Sequence, residues 1–279
     1  IIVAGQMIAA LQSGKYDLDA VALIITQTGG GCRATNYIGF IRRALADAGL
    51  SHIPVIGLSA QRFEKNSGFK IGLKTADRAL KALCLGDLLM RVLYRTRPYE
   101  REAGSADALY RRYADRIKTE LKHIGTRRYR TLIRDLVQDF DTLPLNPDEK
   151  PRIGVVGEIL VKFHPAANND IVGTIEREGA ECVMPDLMDF FLYSFFNGIY
   201  RNTHLEAKPF KRFISRAVIR FIENYRREIK KQLNKSKRFT APESIYTLAE
   251  GVHGILDLGN AAGEGWFLTA EMVELIKSG

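Results

Sequence analysis

The run Ala20–Thr26 (AVALIIT), followed by glycines at 29, 30 and 31 and a helical pattern from Ala34 to Ala48, constrains the fold most. A short, continuously apolar, β-branched run suits a strand buried on both faces, the situation of a strand in a parallel sheet. Gly49 stops the helical pattern, and Ile53–Leu58 (IPVIGL) supplies a second strand. The resulting β-turn-α-β succession is the unit of a doubly wound sheet. A similar succession starts again at Arg152–Phe163 (RIGVVGEILVKF), with a helix over Asn169–Glu178 and a short strand over Glu181–Met184. Between them lie helical patterns over Leu73–Tyr94 and Ala106–Phe140, then Thr142–Pro151, whose three prolines read as a connection. The remainder reads as helices over Asp186–Tyr200, Lys208–Lys235 and Thr269–Lys277. The expected fold class is α/β: two Rossmann-like lobes with parallel sheets and additional long helices. The first lobe, with its helical extension, covers 1–145 and the second covers 146–279.

Composition excludes several alternatives. With 46% hydrophobic and 26% charged residues, the chain of 279 residues has the balance of a globular protein, not of a disordered or fibrous one. No apolar run reaches the roughly 18 residues needed to span a bilayer. Three cysteines at wide spacing form no disulfide framework and suit a reducing cytoplasm. The start, Ile1-Ile2-Val3-Ala4, lacks the basic and apolar regions of a signal peptide and reads as the interior of a longer protein, truncated at both ends. The net charge of +9 is uneven: Arg91–Arg134 holds 13 Lys/Arg, and Arg201–Arg238 holds 13 Lys/Arg against 3 Asp/Glu. Arg226-Arg227, Lys230-Lys231, Lys235, Lys237 and Arg238 read either as a solvated helix face or as a surface for an anionic partner. No groove-reading or base-stacking module accompanies them, so nucleic acid is not an expected partner.

Three segments could carry chemistry. In TQTGGGCRATN, Gly29, Gly30 and Gly31 would let backbone approach a ligand at a helix N-terminus, where N–H groups and Arg33 favour anions. Cys32 there would have a lowered thiol pKa and could bind a metal or act as a nucleophile; the plainer reading is a tight βα turn with an incidental cysteine. Cys84 and Cys182 lie in apolar patterns and read as core. The second segment, GEILVKFHPAANN, gathers Glu158, Lys162, His164 and Asn168 after a strand, where open α/β sheets place ligands; alternatively Asn168 caps the next helix and His164 packs. The third, GNAAGEGW, carries Glu264 and the single tryptophan on a glycine-rich loop, either a lid or an ordinary turn. Cys32, His164 and Glu264 are expected around one cleft between the lobes, with Arg33 and Lys162 drawing anionic groups to it.

The strings TQTGGGCRATNYIGFIRRAL, GEILVKFHPAANNDIV with PDLMDFFLY, and GEGWFLTAEMVELI together resemble the large acyl-CoA dehydratase activase-related proteins, over nearly the whole chain and in order. The region is similar to the iron–sulfur subunits of 2-hydroxyacyl-CoA dehydratases and benzoyl-CoA reductases. The resemblance implies a two-lobed α/β region with an iron–sulfur (4Fe-4S) cluster, for ATP-driven, low-potential electron transfer to an acyl-CoA or similar small anionic substrate. It assigns Cys32 as a cluster ligand; the family's further cysteines fall before Ile1 and after Gly279, so the ligand set within these residues is incomplete. ATP enters only through activase modules outside this segment, and such a module is the implied partner, with a homo-oligomer also allowed. Read from the residues themselves, His164, Glu264 and Glu158 are the catalytic candidates, and Gly29, Gly30, Gly31, Arg33, Lys162 and Asn168 the binding candidates. The alternative is a non-catalytic docking or scaffold region that binds an activase module or another anionic partner.

Overall fold

The computed structural model of the protein describes residues 1–27, 33–58, 72–206 and 208–278. The chain forms two compact units, Ile1–Ile71 and Gly72–Gly279. The expected division at 145/146 thus falls inside the second unit. The reason is packing: the helices on either side of Thr142–Pro151 share one hydrophobic core.

In the first unit, α1 (Ile2–Gln12) precedes β1 (Leu23–Thr26), a 3-10 turn over Arg33–Asn36, α2 (Tyr37–Asp47) and β2 (Val55–Leu58). The strands pair in parallel, Leu23 opposite Val55 through Thr26 opposite Leu58. Helix α2 buries Ile38, Ile41 and Leu45 at helical spacing, together with Leu11, Leu50, Ile53 and Val55. Beyond α2 the chain turns through Gly49 at φ +73°, a left-handed conformation that glycine adopts without strain, and the Leu50 N–H closes the turn on the Leu45 carbonyl at 2.8 Å.

The second unit holds α3 (Leu73–Thr96), α4 (Ser105–Glu120), α5 (Thr126–Thr142), β3 (Arg152–Gly154), α6 (Ile159–Phe163), α7 (Pro165–Asn168), α8 (Ile171–Arg177), β4 (Glu181–Val183), α9 (Leu187–His204), α10 (Pro209–Leu233), α11 (Ile245–Gly251) and α12 (Gly265–Ser278). β3 and β4 pair in parallel, with Ile153 opposite Cys182. Leu85, Val92, Leu132, Ile133, Leu136, Phe140, Met188, Leu192, Trp266 and Phe267 are among the residues that fill one core drawn from α3, α5, α9 and α12.

The two-lobed Rossmann-like expectation is therefore met only coarsely. Both parallel β-helix-β pairings exist, but among the described residues each sheet has two strands and 66% of positions are helical. Two readings explain the difference. The apolar run Arg152–Phe163 is a strand only to Gly154; Glu158 then leads into α6, which buries Lys162. The pattern Ala106–Phe140 is two helices, because Gly125 (φ −80°, ψ 169°) breaks it and α5 runs back along α4, with Tyr113 bonded to Asp139 and Arg116 to Asp135. Among the described residues no helix is long and apolar enough to cross a membrane.

Candidate functional site

A cleft of about 920 Å³ lies in the second unit between α3 and α4 on one side and the α6–α8 segment on the other. Leu89, Met90, Leu93, Phe163 and Met184 supply apolar wall; Arg97, Lys118, Lys162 and Arg177 bring positive charge, against Asp107, Asp170 and Glu176. Its size and mixed lining are those of a small-molecule site. Arg97 is fixed there by a two-point pair to Glu176 (2.7 and 2.9 Å) and a 3.1 Å bond to Asp107, and it stacks over Tyr94. Burial pushes the Tyr94 phenol up to about 12.

Two residues singled out from the sequence, Lys162 and Asn168, line this cleft. Helix α6 carries Lys162 inward: it is 2% exposed, its Nζ donates to Glu271 Oε1 on α12 at 2.8 Å, and it sits 4.9 Å from the Phe163 ring centre. Glu271 is 1% exposed and its Oε2 has no hydrogen-bond partner among the described residues. Burial raises its carboxyl to about 7 even though Lys162 acts in the opposite direction. Asn168 closes the segment on itself. Its amide donates to the Val161 and Lys162 carbonyls, and its Oδ1 accepts from the Ile171 N–H at the start of α8. The capping reading of Asn168 therefore holds, and the same residue also faces the cleft. Asn169 and Asp170 follow with φ of 55° and 53°, left-handed positions that short polar side chains tolerate.

The other candidates fall elsewhere. His164 is half-buried and starts α7, its carbonyl accepting from the Ala167 and Asn168 N–H groups; it does not line the cleft. Glu158 and Glu264 also lie outside that lining, but the fold sets them near each other: burial and the Glu158 charge both raise the Glu264 carboxyl. Glu264 is held at φ 58°, an uncommon conformation for a residue with a side chain. The tryptophan of the same loop is no lid residue. Trp266 is fully buried among Tyr193, Phe196 and Phe267, with its indole N–H bonded to Asn197 at 2.8 Å. Gly29, Gly30, Gly31, Cys32 and the Arg33 side chain lie outside the described residues, and with them the expected meeting of Cys32, His164 and Glu264. What the structure does describe there is the frame: buried Gln27, after β1, donates to the Thr35 carbonyl at 2.8 Å and so ties the entry of that segment to its exit.

The described thiols do not fit an iron–sulfur cluster. Cys84 and Cys182 are buried in separate apolar clusters, and burial raises each to about 12, away from the thiolate a cluster requires. Among the described residues no group of three or more His, Cys, Asp or Glu side chains is placed to hold a metal.

A buried charge network was not read from the sequence. Arg226 of α10, 2% exposed, donates to Asp189 at 2.8 Å, Glu223 at 3.0 Å and Asp186 at 3.2 Å; Arg91 of α3 reaches Asp186 at 2.7 Å. Burial alone would raise Asp186, but Arg91 and Arg226 outweigh it and hold its carboxyl low. Asp189 goes the other way, raised by burial despite Arg226. Asp87 accepts from the Leu187 and Met188 N–H groups, capping α9 from α3, and burial followed by the Asp186 charge takes it to about 8. The available signal was a set of charges at positions a helical pattern assigns to the core: Asp87 in CLGDLLM, Asp189 in PDLMDFF and Arg226 between Ile222 and Ile229. Comparison with known families, curated proteins and solved structures finds no match.

Proposed function

We propose that the second unit is the substrate-binding part of a protein similar to the 2-hydroxyacyl-CoA dehydratase and benzoyl-CoA reductase iron–sulfur subunits, taking an acyl-CoA or similar small anionic acyl compound in the 920 Å³ cleft. In this reading the two parallel β-helix-β pairs are the cores of two Rossmann-like lobes, and the protein is cytoplasmic. The observation that carries the proposal is Lys162: a buried lysine that lines a half-apolar cleft and whose ammonium is paired to the Glu271 carboxyl, poised near neutrality. The apolar wall receives the acyl chain. Lys162 faces the developing negative charge on an acyl oxygen, which counts for more in a water-poor cleft than in bulk solvent. Glu271, protonated or ionised near neutral pH, sets how much of the Lys162 charge is left for the ligand. Asn168 holds the α6–α7 turn that aims Lys162. The cluster assigned by resemblance supplies electron transfer when bound; Cys32 is the residue of this chain proposed to ligate it, and no step is derived through it.

Calorimetric titration with an acyl-CoA thioester, and with free CoA, tests the binding. Saturable binding of the thioester is expected, weakened by about tenfold or more in Lys162→Met and in the rim variant Arg177→Glu, with near-ultraviolet dichroism unchanged. No heat from the thioester, or equal affinity in both variants, overturns the reading. Anaerobic iron and sulfide analysis of the full-length protein tests the cluster separately: Cys32→Ala should lower the iron content, while Cys84→Ala and Cys182→Ala should leave it unchanged.

A further inference from the structure

Helix α10 has two apolar faces, and only one is used. Ile219, Ile222, Ile229 and Leu233 face the core with Arg226. Phe210, Phe213, Ile214 and Phe221 recur at helical spacing on the opposite side and are 73%, 67%, 44% and 54% exposed. Large apolar side chains exposed as a contiguous stripe, rather than scattered, mark a surface that binds something.

The charges beside this stripe are arranged as selectively as the stripe itself. Arg216, Arg220, Arg227 and Lys231 form an exposed row along one flank. The inward cations of the helix are satisfied, Arg226 by three carboxylates and Lys230 by Glu223. Among the described residues, none of these four outward cations makes an ion pair. The opposite flank holds the exposed Lys211, then Val218 and Tyr225, which are half-buried against the core. At the end of the stripe is a recess of about 410 Å³, lined by Phe221, Tyr225, Arg227 and Lys231 of α10 with Arg130 and Asp77, large enough for an anchoring side chain.

From this arrangement we infer that the outer face of α10 docks an acidic amphipathic helix of a protein partner. Its apolar side would cover Phe210, Phe213, Ile214 and Phe221, and carboxylates along one edge would meet the Arg216–Lys231 row. A helix lying in a bilayer surface carries its cations on both sides of the apolar stripe, whereas here the row occupies one side and, Lys211 apart, the protein body the other. A second copy docked on the same face would bring basic rows together and be repelled. This inference stands independently of the acyl-binding cleft, which lies on other elements.

The test uses a fluorescently labelled, designed peptide helix with Leu along one face and Glu along one flank, and a matched peptide with Lys for Glu. Anisotropy should show the acidic peptide binding about tenfold or more tightly than the basic one, with added salt weakening it. Both Phe213→Asp/Phe221→Asp and Arg216→Glu/Arg220→Glu should abolish the preference; all four positions are exposed, so the folded dichroism spectrum is retained. Equal binding of the two peptides, binding unaffected by either double variant, or no binding overturns the inference. So does co-sedimentation with phosphatidylserine vesicles that the Phe variants abolish, or a dimer in sedimentation velocity that they dissociate.

Discussion

The ion pair Lys162–Glu271 shows how far a single residue's chemistry depends on where the fold leaves it. Two buried partners with one unmatched oxygen, Glu271 Oε2, give a pair whose desolvation rivals its attraction. Because the Glu271 carboxyl is raised from 4.5 to about 7, the native state holds a proton that the unfolded chain has already released. Its contribution to stability is then full below about pH 4.5 and is lost as pH rises through about 7. Glu271→Gln should gain on the wild type between pH 5 and pH 8 by on the order of 3 kcal/mol, read from urea unfolding at the two pH values. A difference that does not change with pH would show that Glu271 titrates normally. The cysteines offer a second check. Cys84 and Cys182, buried and raised to about 12, should resist iodoacetamide at neutral pH until the protein is unfolded, as followed by peptide mapping. Lys162 and Asn168 were legible because they sit in a local string after a strand. Glu271 was not, since its partner is 109 positions away and nothing in AEMVELI marks one glutamate as buried.

At the scale of elements, the junctions carry most of what sequence periodicity leaves open. The N-terminus of α9 is capped by Asp87 of α3, 100 positions earlier, and not by a neighbour in the chain. Since burial keeps the Asp87 carboxyl at about 8, it is largely protonated at neutral pH, and its oxygens still accept both N–H groups. Asp87→Asn keeps one acceptor but sets its NH2 against the other N–H, so it should cost about 1 kcal/mol in urea unfolding at pH 7, and Asp87→Ala, which removes both acceptors, about 1–2 kcal/mol. Strand β3 shows a milder constraint. A Cβ at Gly154 would lie 2.7 Å from Leu275 Cδ1 of α12, the tip of a partly exposed side chain that would have to turn aside. Gly154→Ala should lower stability by no more than about 1 kcal/mol, and adding Leu275→Ala should remove that coupling, as a double-mutant cycle on unfolding midpoints would show. Helices with one long apolar face, such as α3 and α10, were readable almost to their ends. The turn that splits Ala106–Phe140 was missed because a single glycine, Gly125, inside an otherwise helical pattern does not reveal that the next helix folds back.

For the whole molecule, the compact units imply that residues 72–279 expressed alone should unfold as one cooperative transition with native-like helix content, monitored by far-ultraviolet dichroism. A broad, non-cooperative melt would show that this unit depends on the first 71 residues. By itself the sequence determined the parallel β-helix-β pairings at both places, the position of most helices, and the concentration of positive charge on the α10 segment. Those features are local: strand runs, glycine turns and helical spacing act over a few residues, and so they survive without knowledge of the rest of the chain. Only the tertiary structure decided that the Pro-rich connection lies inside a unit, that among the described residues the strands pair only two by two, that Trp266 is core while Glu264 is strained, and that Arg226 faces inward while Arg216 and Arg220 face out. Each depends on which distant element packs against which, a balance of burial and desolvation between residues far apart in the chain that no single stretch of sequence contains.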